Sequence, residues 1–347
     1  MKLIFAGVPG GGSPGCCKRE RELSKFWNYR LWSYHYLNKE GDKMNKEKKV
    51  SLFLDSGAFS AQSQGIAINL HEYIDFIKLH QDVIEVYANL DVIGDAKASW
   101  KNQRVMEKKG LNPLPVFHIE DWLTSGSYYL EKCMEYPYFC IGGMATGYSS
   151  PQRFNFLERC FSVICDTPTG KPNHKVHGFG LTSLPLMLRY PWYSVDSTSW
   201  VVTGRMGSVF VPRYRSGQWI YDENSWKVVV SNRSPSTKDA GKHIETLPPK
   251  QKQIILDYIH AKGFQLGVSV FKHVAADYSP KEGERWAEKK GLIKHGKRLL
   301  EIIEEEGISN KYQLRDELNI IYFLDLEKSM PEWPWPFKPC GSGGFGI

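Results

Sequence analysis

The sequence predicts an α/β fold, a (β/α)8, TIM-like barrel with a β-rich insertion and C-terminal helices. Short apolar runs, typical of buried parallel strands, alternate with segments of helical periodicity at intervals of roughly 25–35 residues. Seven such units fit before residue 203, which favours a barrel over an open sheet. Three of the runs end on an aspartate, and barrel enzymes carry their active sites at the carboxyl ends of the strands.

The barrel strands are predicted where apolar residues run without interruption. Aromatic residues at helical spacing, namely Trp27, Tyr29, Trp32 and Tyr34, predict a long helix over residues 19–36 instead. The predicted strands span residues 2–7, 52–55, 84–91, 114–119, 138–143, 175–180 and 192–196, and the helices between them span residues 19–36, 70–81, 96–109, 126–136, 151–166 and 184–189.

The character of the sequence changes after residue 203, where short alternating strands and polar loops replace the strand and helix rhythm. Four regions are expected: barrel strands one to seven with the catalytic mouth (1–203), a β insertion with a mobile loop at 234–249 (204–249), the barrel closure with C-terminal helices (250–330) and an extended tail rich in Pro, Trp and Gly (331–347). Antiparallel strands are expected at 208–214 and 219–230, a candidate eighth strand at 265–271, and helices at 250–261, 279–291, 296–306 and 311–328.

Composition and charge are those of an ordinary globular protein, with 41% hydrophobic and 24% charged residues. No apolar run approaches the roughly 18–20 residues that cross a bilayer, so we expect a cytoplasmic protein without a membrane partner. Seven cysteines, none in a Cys-x-x-Cys pair, suit neither a disulfide framework nor a four-ligand zinc site. The net charge of +7 permits a polyanionic partner without requiring one.

Basic and aromatic residues interleave between residues 200 and 215. Arg205, Arg213 and Arg215 could contact phosphates there while the aromatic rings stack on unpaired bases. The same rings could instead fill a core, and the sequence leaves both interpretations open.

The stretch 52–60 is the most informative part of the chain. Asp55 ends an apolar run, and Ser56 and Gly57 then allow a sharp turn and the close approach of a ligand. Phe59 offers a flat apolar face to a planar ligand. Asp55 could also be no more than a helix N-cap, but the same arrangement recurs along the chain.

Asp91 and Asp196 also close predicted strands. Only His118 and His177 lie near strand ends, which are too few histidines for the usual hydrolytic metal site. Paired carboxylates suit displacement at a sugar anomeric carbon, where one attacks C1′ and the other donates a proton to the leaving group. The pattern therefore indicates base exchange or glycoside hydrolysis. The alternative is that Asp91 and Asp196 cap turns and that His118 is a core histidine.

Several motifs, taken together and in order, resemble the landmarks of the tRNA-guanine transglycosylases. The resemblance covers about residues 50–210. It is carried by Asp55-Ser-Gly-Ala-Phe59, Asp91, Ile141-Gly-Gly-Met-Ala145, Gly178-Phe-Gly180, Val195-Asp196 and Gly204-Arg-Met-Gly207.

The resemblance implies a role for each motif. Asp196 corresponds to the covalent nucleophile, Asp55 to the proton-transferring aspartate, Asp91 to the base-recognising aspartate and Phe59 to the stacking aromatic residue. The backbone donors to the base would be Gly143 and Met144, and Ser56, Gly142 and Gly178 belong to the same substrate-binding motifs.

The departures from the family pattern are also informative. His118 stands where the family usually has a glutamine. The family's zinc module, three cysteines and a histidine, has no counterpart after Asp196, where Cys340 is the only cysteine. The chain looks more like the DpdA branch, phage and bacterial paralogues that exchange guanine in DNA for a 7-deazaguanine such as preQ0. The resemblance implies that DNA and a deazapurine are the partners, with helper proteins as a further option. It also implies no zinc and no required cofactor. The expected location is the cytoplasm, which for a phage enzyme is the cytoplasm of the host cell.

Three other functions stay open at this point. The same chemistry on tRNA is the nearest alternative. A non-catalytic nucleic-acid-binding barrel, acting as an accessory subunit, is the second. The third is a hydrolase of free nucleosides, which would need no basic groove.

Overall fold

A computed structural model describes residues 1–7, 18–37, 51–144, 147–166, 168–181, 183–233, 241–287 and 295–340. The described residues fall into two compact units. The first unit comprises Met1–Thr198 together with the segment that begins at Glu327, and the second comprises Ser199–Leu326.

The first unit is an α/β structure around one sheet of eight parallel strands. The strands lie in the order β4-β3-β2-β1-β8-β7-β6-β5. Parallel strands buried on both faces need near-continuous apolar runs, and the sequence supplies them. The strands are Lys2–Phe5 (β1), Tyr29–Ser33 (β2), Ser51–Asp55 (β3), Ile84–Tyr87 (β4), Val116–Phe117 (β5), Tyr138–Ile141 (β6), Lys175–Gly178 (β7) and Ser194–Ser197 (β8).

The two ends of this strand order approach each other. Ala88, just after β4, and Leu114, just before β5, form a parallel bridge. The Asn89 N–H donates to the Leu114 carbonyl and the Leu114 N–H donates to the Tyr87 carbonyl, both at 2.9 Å. The sheet is therefore curled, so the carboxyl ends of all eight strands face a common region.

Helices of the first unit connect the strands, and several begin at recognisable caps. Asn69 accepts hydrogen bonds from two N–H groups of the helix that follows it, and Ser149 forms a capping box with Gln152. The helices are Lys18–Leu23 (α1), Ala58–Ser63 (α2), Leu70–Leu79 (α3), Ala96–Lys108 (α4), Ile119–Ser125 (α5), Tyr128–Cys133 (α6), Ser150–Ile164 (α7) and Leu184–Arg189 (α8).

The helix predicted over residues 19–36 is wrong beyond Leu23. The chain instead forms β2, which lies between β1 and β3 and supplies the eighth strand of the sheet. Leu31 and Trp32 are consecutive and both buried, as in a strand that is covered on both faces. Aromatic residues favour strands as well as filling helical faces, so their spacing alone was ambiguous.

The second unit is built mainly from antiparallel strands. Ser208–Val211 (β9) pairs with Trp226–Val229 (β12), and a hairpin joins Arg213–Arg215 (β10) to Gln218–Ile220 (β11). These strands fall in the segments predicted as strands, except that β10 and β11 each extend by one residue into the predicted turn. A third sheet contains Val268–Ala275 (β13), Glu284–Trp286 (β14) and Lys297–Glu305 (β15). The helices are Ser199–Arg205 (α9), Pro249–Ala261 (α10) and Tyr312–Ser329 (α11), and the residues of α11 from Glu327 onward are assigned to the first unit.

Three further predictions for this half of the chain are wrong. Residues 265–271 contribute to β13, which pairs antiparallel with β15 and lies outside the eight-stranded sheet. The helices predicted at 279–291 and 296–306 are replaced by β14 and β15 where the structure describes them. The apolar pairs Leu299-Leu300 and Ile302-Ile303 are spaced as on one face of a helix, but pairing with β13 decided for the strand. The mobile loop predicted at 234–249 lies partly outside the described residues, and its described part contains a 3-10 turn at Ile244–Thr246.

Within the described ranges of the chain, no helix combines the length and the apolar character needed to cross a membrane. The tail beyond residue 330 has no helix or strand up to residue 340, and it is tied to the first unit. The Trp333 indole donates to the Pro191 carbonyl at 3.1 Å, and the Phe337 N–H donates to the Gly170 carbonyl at 2.7 Å.

Arg30 on β2 makes a testable contribution to the stability of the sheet. Its side chain is almost fully buried, and its guanidinium donates to the carbonyls of Phe5, Gly7 and Leu31. Arg30→Met keeps much of the volume but removes the hydrogen bonds that the guanidinium donates to these buried carbonyls, so we expect a loss on the order of 2–4 kcal/mol in the free energy of unfolding. Urea denaturation measures it, with exposed Arg104→Met as the control. Equal losses in the two variants would contradict this role.

Candidate active site

All eight strands of the first unit deliver residues to one cavity at their carboxyl ends. Its volume is about 320 Å³, within the range of small-molecule sites. Phe59, from the helix after β3, and Glu120, from the helix after β5, complete part of the wall. Strand by strand, the lining consists of Gly7 after β1, Ser33 at the end of β2, Asp55 at the end of β3, Asp91 after β4, His118 after β5, Gly142 and Gly143 after β6, Phe179 and Gly180 after β7, and Asp196 on β8.

The cavity is strongly acidic. Four carboxylates, those of Asp55, Asp91, Glu120 and Asp196, line it, and no lysine or arginine lies among the described lining residues. Carboxylates held at this density in a partly desolvated space repel one another, so one of them binds a proton more easily or each needs hydrogen-bond donors. The geometry of the site follows from this constraint.

Asp91 is held by two donors from neighbouring strands. The Ser56 hydroxyl donates to Asp91 Oδ1 at 3.1 Å, and His118 Nε2 lies 2.6 Å from Asp91 Oδ2. Burial alone would lower the pKa of His118, but the hydrogen bond and the charge of Asp91 outweigh it and raise that pKa. These contacts therefore favour a proton on His118, held against Asp91 Oδ2.

The glycine pair after β6 allows this histidine to sit against the backbone. A Cβ atom on Gly142 would lie 2.6 Å from His118 Cε1 and 2.7 Å from Nδ1, closer than real atoms approach. Gly143 has a φ of +83° and would meet the Ile119 side chain at 2.8 Å. Both positions therefore require glycine for reasons of packing and conformation. Met144 follows them in the cavity wall.

Asp196 lies on β8 with about 5% of its surface exposed. The Gly180 N–H donates to Asp196 Oδ1 at 2.7 Å, and His177 Nε2 lies 3.4 Å from the same oxygen. Both contacts come from β7 or the turn that follows it. They concentrate donors on Oδ1, which leaves Oδ2 as the oxygen able to engage a ligand.

Asp55 behaves differently from the other two aspartates. Burial and the charge of Asp91 raise its pKa to about 7, with a smaller contribution from the charge of Asp196, while a hydrogen bond from the Gly57 backbone opposes the shift. Near neutral pH, Asp55 is therefore present both as the acid and as the carboxylate. A side chain in this state can give a proton and take it back, as general acid and base catalysis requires.

Aromatic side chains stand at the edge of the cavity. Phe59 is 52% exposed although it is a large apolar residue, and Tyr36 is 47% exposed. Both line the cavity. Exposed rings at the mouth of an acidic cavity suit stacking on a planar ligand.

The structure brings together most of the residues that the sequence indicated. Asp55, Phe59, Asp91, His118, Gly142, Gly143, Met144 and Asp196 all line the cavity. Ser56 and Gly178 do not line it. Ser56 is fully buried and acts through Asp91, and Gly178 is packed against the Trp192 ring, 3.1 Å from where its Cβ would lie.

The three arginines predicted to bind nucleic acid belong to the second unit. Arg213 lies over the Trp226 ring at 4.8 Å, and Arg215 pairs with Glu223 at 2.8 Å. Arg205 ends α9. The guanidinium groups of Arg213 and Arg215 therefore already have partners within the second unit.

Sequence reasoning missed several lining residues. Glu120 directly follows the strand predicted at 114–119, and in the sequence it was only an acidic neighbour of His118. In the structure its carboxylate accepts a hydrogen bond from the Tyr148 hydroxyl at 3.0 Å. Tyr36 was hidden in the helix predicted over residues 19–36. Phe179 was seen only as part of a glycine-containing turn, a pattern that does not tell which residue faces the cavity.

The described part of the chain contains no group of three or more His, Cys, Asp or Glu side chains arranged to hold a metal ion. Comparison of the chain with protein-family models, with curated proteins and with solved structures found no match in any of the three. The function therefore has to be inferred from the geometry of the cavity.

The raised pKa of Asp55 predicts a cost in stability. Between the ordinary carboxyl pKa near 4 and the folded value of about 7, the folded chain binds more protons than the unfolded chain, so its stability falls as pH rises. Asp55→Asn removes this loss. We expect the variant to be more stable than the wild type by an amount that grows from about pH 4 to 7 and then levels off, on the order of 1–3 kcal/mol.

Thermal unfolding at several pH values measures this difference. Asp75→Asn is the matched control, because Asp75 is exposed on the surface of α3. A stability difference for Asp55→Asn that stays constant from pH 4 to 8 would show that Asp55 has an ordinary pKa.

Proposed function

We propose that the protein is a guanine transglycosylase that exchanges guanine in DNA for a 7-deazaguanine through a covalent aspartyl intermediate. One observation carries the proposal: two carboxylates in the same cavity differ in how they are held, one by burial beside other charges and one by hydrogen-bond donors. Asp55 has a pKa of about 7, whereas Asp196 receives a backbone N–H on one oxygen and keeps the other for bonding. A proton carrier and a nucleophile are the two groups that base exchange needs.

In the first half of the proposed reaction, Asp196 Oδ2 attacks C1′ of the target nucleotide. The C1′–O bond forms as the C1′–N9 bond breaks, and the electron pair leaves with guanine, which takes a proton from Asp55. Positive charge develops on the sugar in such displacements, and the surrounding carboxylates would stabilise it. A base inside a duplex would have to leave its stack to reach the cavity.

In the second half, a 7-deazaguanine occupies the place that guanine left. Asp55 takes the N9 proton, N9 attacks C1′, and the ester bond to Asp196 breaks, which restores both aspartates. Asp91 would accept hydrogen bonds from N1–H and the exocyclic amine, and Phe59 would stack on the purine. The exchange is balanced without ATP or a redox cofactor.

Further support comes from the order of the motifs and from the fold. The ordered motifs that resemble the transglycosylases fall on the cavity wall at Asp55, Asp91, Gly143 and Asp196. We infer also that the curled sheet closes into a TIM-type barrel across the Ala88–Leu114 bridge. Exchange on tRNA, an accessory binding role and hydrolysis of nucleosides are separate outcomes of the test below.

Nucleoside mass spectrometry tests the polymer and the chemistry together. We expect DNA from cells that express the protein and are supplied with 7-cyano-7-deazaguanine to contain the deazaguanine nucleoside, and Asp196→Ala to abolish it. The label in tRNA alone would overturn the choice of DNA but keep the chemistry. Guanine released without incorporation would indicate hydrolysis. Unmodified polymers, together with purified protein that binds DNA but releases no guanine, would indicate an accessory role.

The pKa of Asp55 predicts the pH dependence of the first step. Asp55 must be protonated to act as the acid, so the single-turnover rate of guanine release should fall about tenfold per pH unit above pH 7. Asp91→Asn removes the neighbouring charge that helps to raise this pKa, so the fall should begin at lower pH at saturating DNA. Rapid-quench assays from pH 6 to 9 measure both effects. A rate that stays flat up to pH 9 would exclude Asp55 as the acid.

A further inference from the structure

A chain of buried and partly buried polar groups runs behind Asp196. The Tyr138 hydroxyl lies 2.7 Å from Ser194 Oγ, and Ser194 Oγ lies 2.8 Å from His177 Nδ1. His177 Nε2 then lies 3.4 Å from Asp196 Oδ1. Ser194 and Asp196 are two residues apart on β8, so both point to the same face of the sheet, and His177 is in register with Ser194 on β7.

These groups have little freedom to move. His177 and Ser194 have at most 1% of their surfaces exposed. The His177 ring is packed between two aromatic rings, with centroids 4.7 Å from both Phe53 and Phe179. A ring held in this way cannot flip without disturbing the sheet, so its two nitrogen atoms keep distinct partners.

The positions of the protons follow from the chemistry of each group. Burial raises the pKa of Tyr138, so its hydroxyl keeps its proton and is able to donate it to Ser194 Oγ. Ser194 has one proton, which it then donates to His177 Nδ1. In this direction Nδ1 is an acceptor, and the ring proton lies on Nε2, opposite Asp196 Oδ1. If His177 Nδ1–H instead donated to Ser194, the lone pair of Nε2 would face a carboxylate oxygen of Asp196, which is repulsive.

We propose that Tyr138, Ser194 and His177 are positioning residues that hold Asp196 for attack through Oδ2. Oδ1 faces two N–H donors, the Gly180 N–H at 2.7 Å and the His177 Nε2–H at 3.4 Å. The longer contact shortens to a hydrogen bond if the carboxylate moves by a few tenths of an ångström, as contacts in unliganded active sites often do. The role in attack rests on the proposed function, whereas the proton arrangement does not.

The first measurement is nitrogen-15 NMR of the histidine rings in the resting protein, with His177→Gln used to assign the His177 signals. We expect the Nε2–H tautomer in the wild type, and a loss of that single tautomer in Ser194→Ala. A His177 ring protonated on Nδ1 alone, or on both nitrogen atoms, overturns the chain. This readout is independent of any enzymatic activity.

The second measurement is the single-turnover rate of guanine release and adduct formation on a guanine-containing DNA oligonucleotide. We expect Ser194→Ala and Tyr138→Phe to lower the rate about 10- to 100-fold while leaving the affinity for free guanine unchanged. Tyr190→Phe is the matched control, because Tyr190 is a buried tyrosine whose hydroxyl proton is shared between the Phe154 carbonyl and the Glu158 carboxylate, away from the cavity.

The outcomes separate the two proposals. Rates for Ser194→Ala and Tyr138→Phe equal to that of Tyr190→Phe would overturn the positioning chain and leave the transglycosylase proposal intact. Guanine affinity that falls in parallel with the rate would also overturn it, because that loss would come from general damage to the cavity. Wild-type protein that forms no adduct would overturn the proposed function and the role of the chain in attack, while the NMR result would still report the tautomer.

Discussion

The burial and mutual repulsion of three aspartates in one cavity are the constraint on which the site depends. Burial raises the pKa of Asp55 most, the charges of Asp91 and, to a smaller extent, Asp196 raise it further, and no lysine or arginine among the described lining residues relieves the charge. Asp91 and Asp196 have hydrogen-bond donors placed on them, by Ser56, His118 and Gly180. Asp55 accepts a hydrogen bond from the Gly57 backbone, but this bond does not offset burial and the neighbouring charges, so Asp55 binds a proton near neutral pH. Asp55 can therefore carry a proton because it is buried beside two aspartates whose charges are held in place by hydrogen-bond donors.

The parallel sheet is what places donors and carboxylates this closely. Ile4 pairs with Asp196 and Ser33 pairs with Asp55, so aspartates from separate parts of the sequence end at the same edge. Because side chains alternate along a strand, Ser194 lies on the same face as Asp196, one step deeper. The same strand geometry places the aspartates at the edge of the sheet and the residues that hold them one step further inside. A single loop could not place both sets of residues in this way.

Features encoded by neighbouring residues could be predicted from the sequence, and features that depend on pairing could not. Asp55, Asp91 and Asp196 were found because each directly follows an apolar run. β2 was missed because its aromatic residues fit a helical face as well as a strand, and only its place between β1 and β3 decides between them. The contact between His177 and Ser194 depends on the register of β7 and β8, which no local pattern specifies.

In the proposed reaction, His118 would link recognition of a base to proton transfer. Its contact with Asp91 offsets part of the negative charge that raises the pKa of Asp55, and the charge of His118 itself lowers that pKa. In the proposed reaction, a guanine edge that bonds to Asp91 and His118 changes how that pair shares its proton. The proton affinity of Asp55 then changes with occupancy of the cavity. A glutamine amide carries no charge and could not provide this coupling, so the histidine makes the acid respond to the presence of the base.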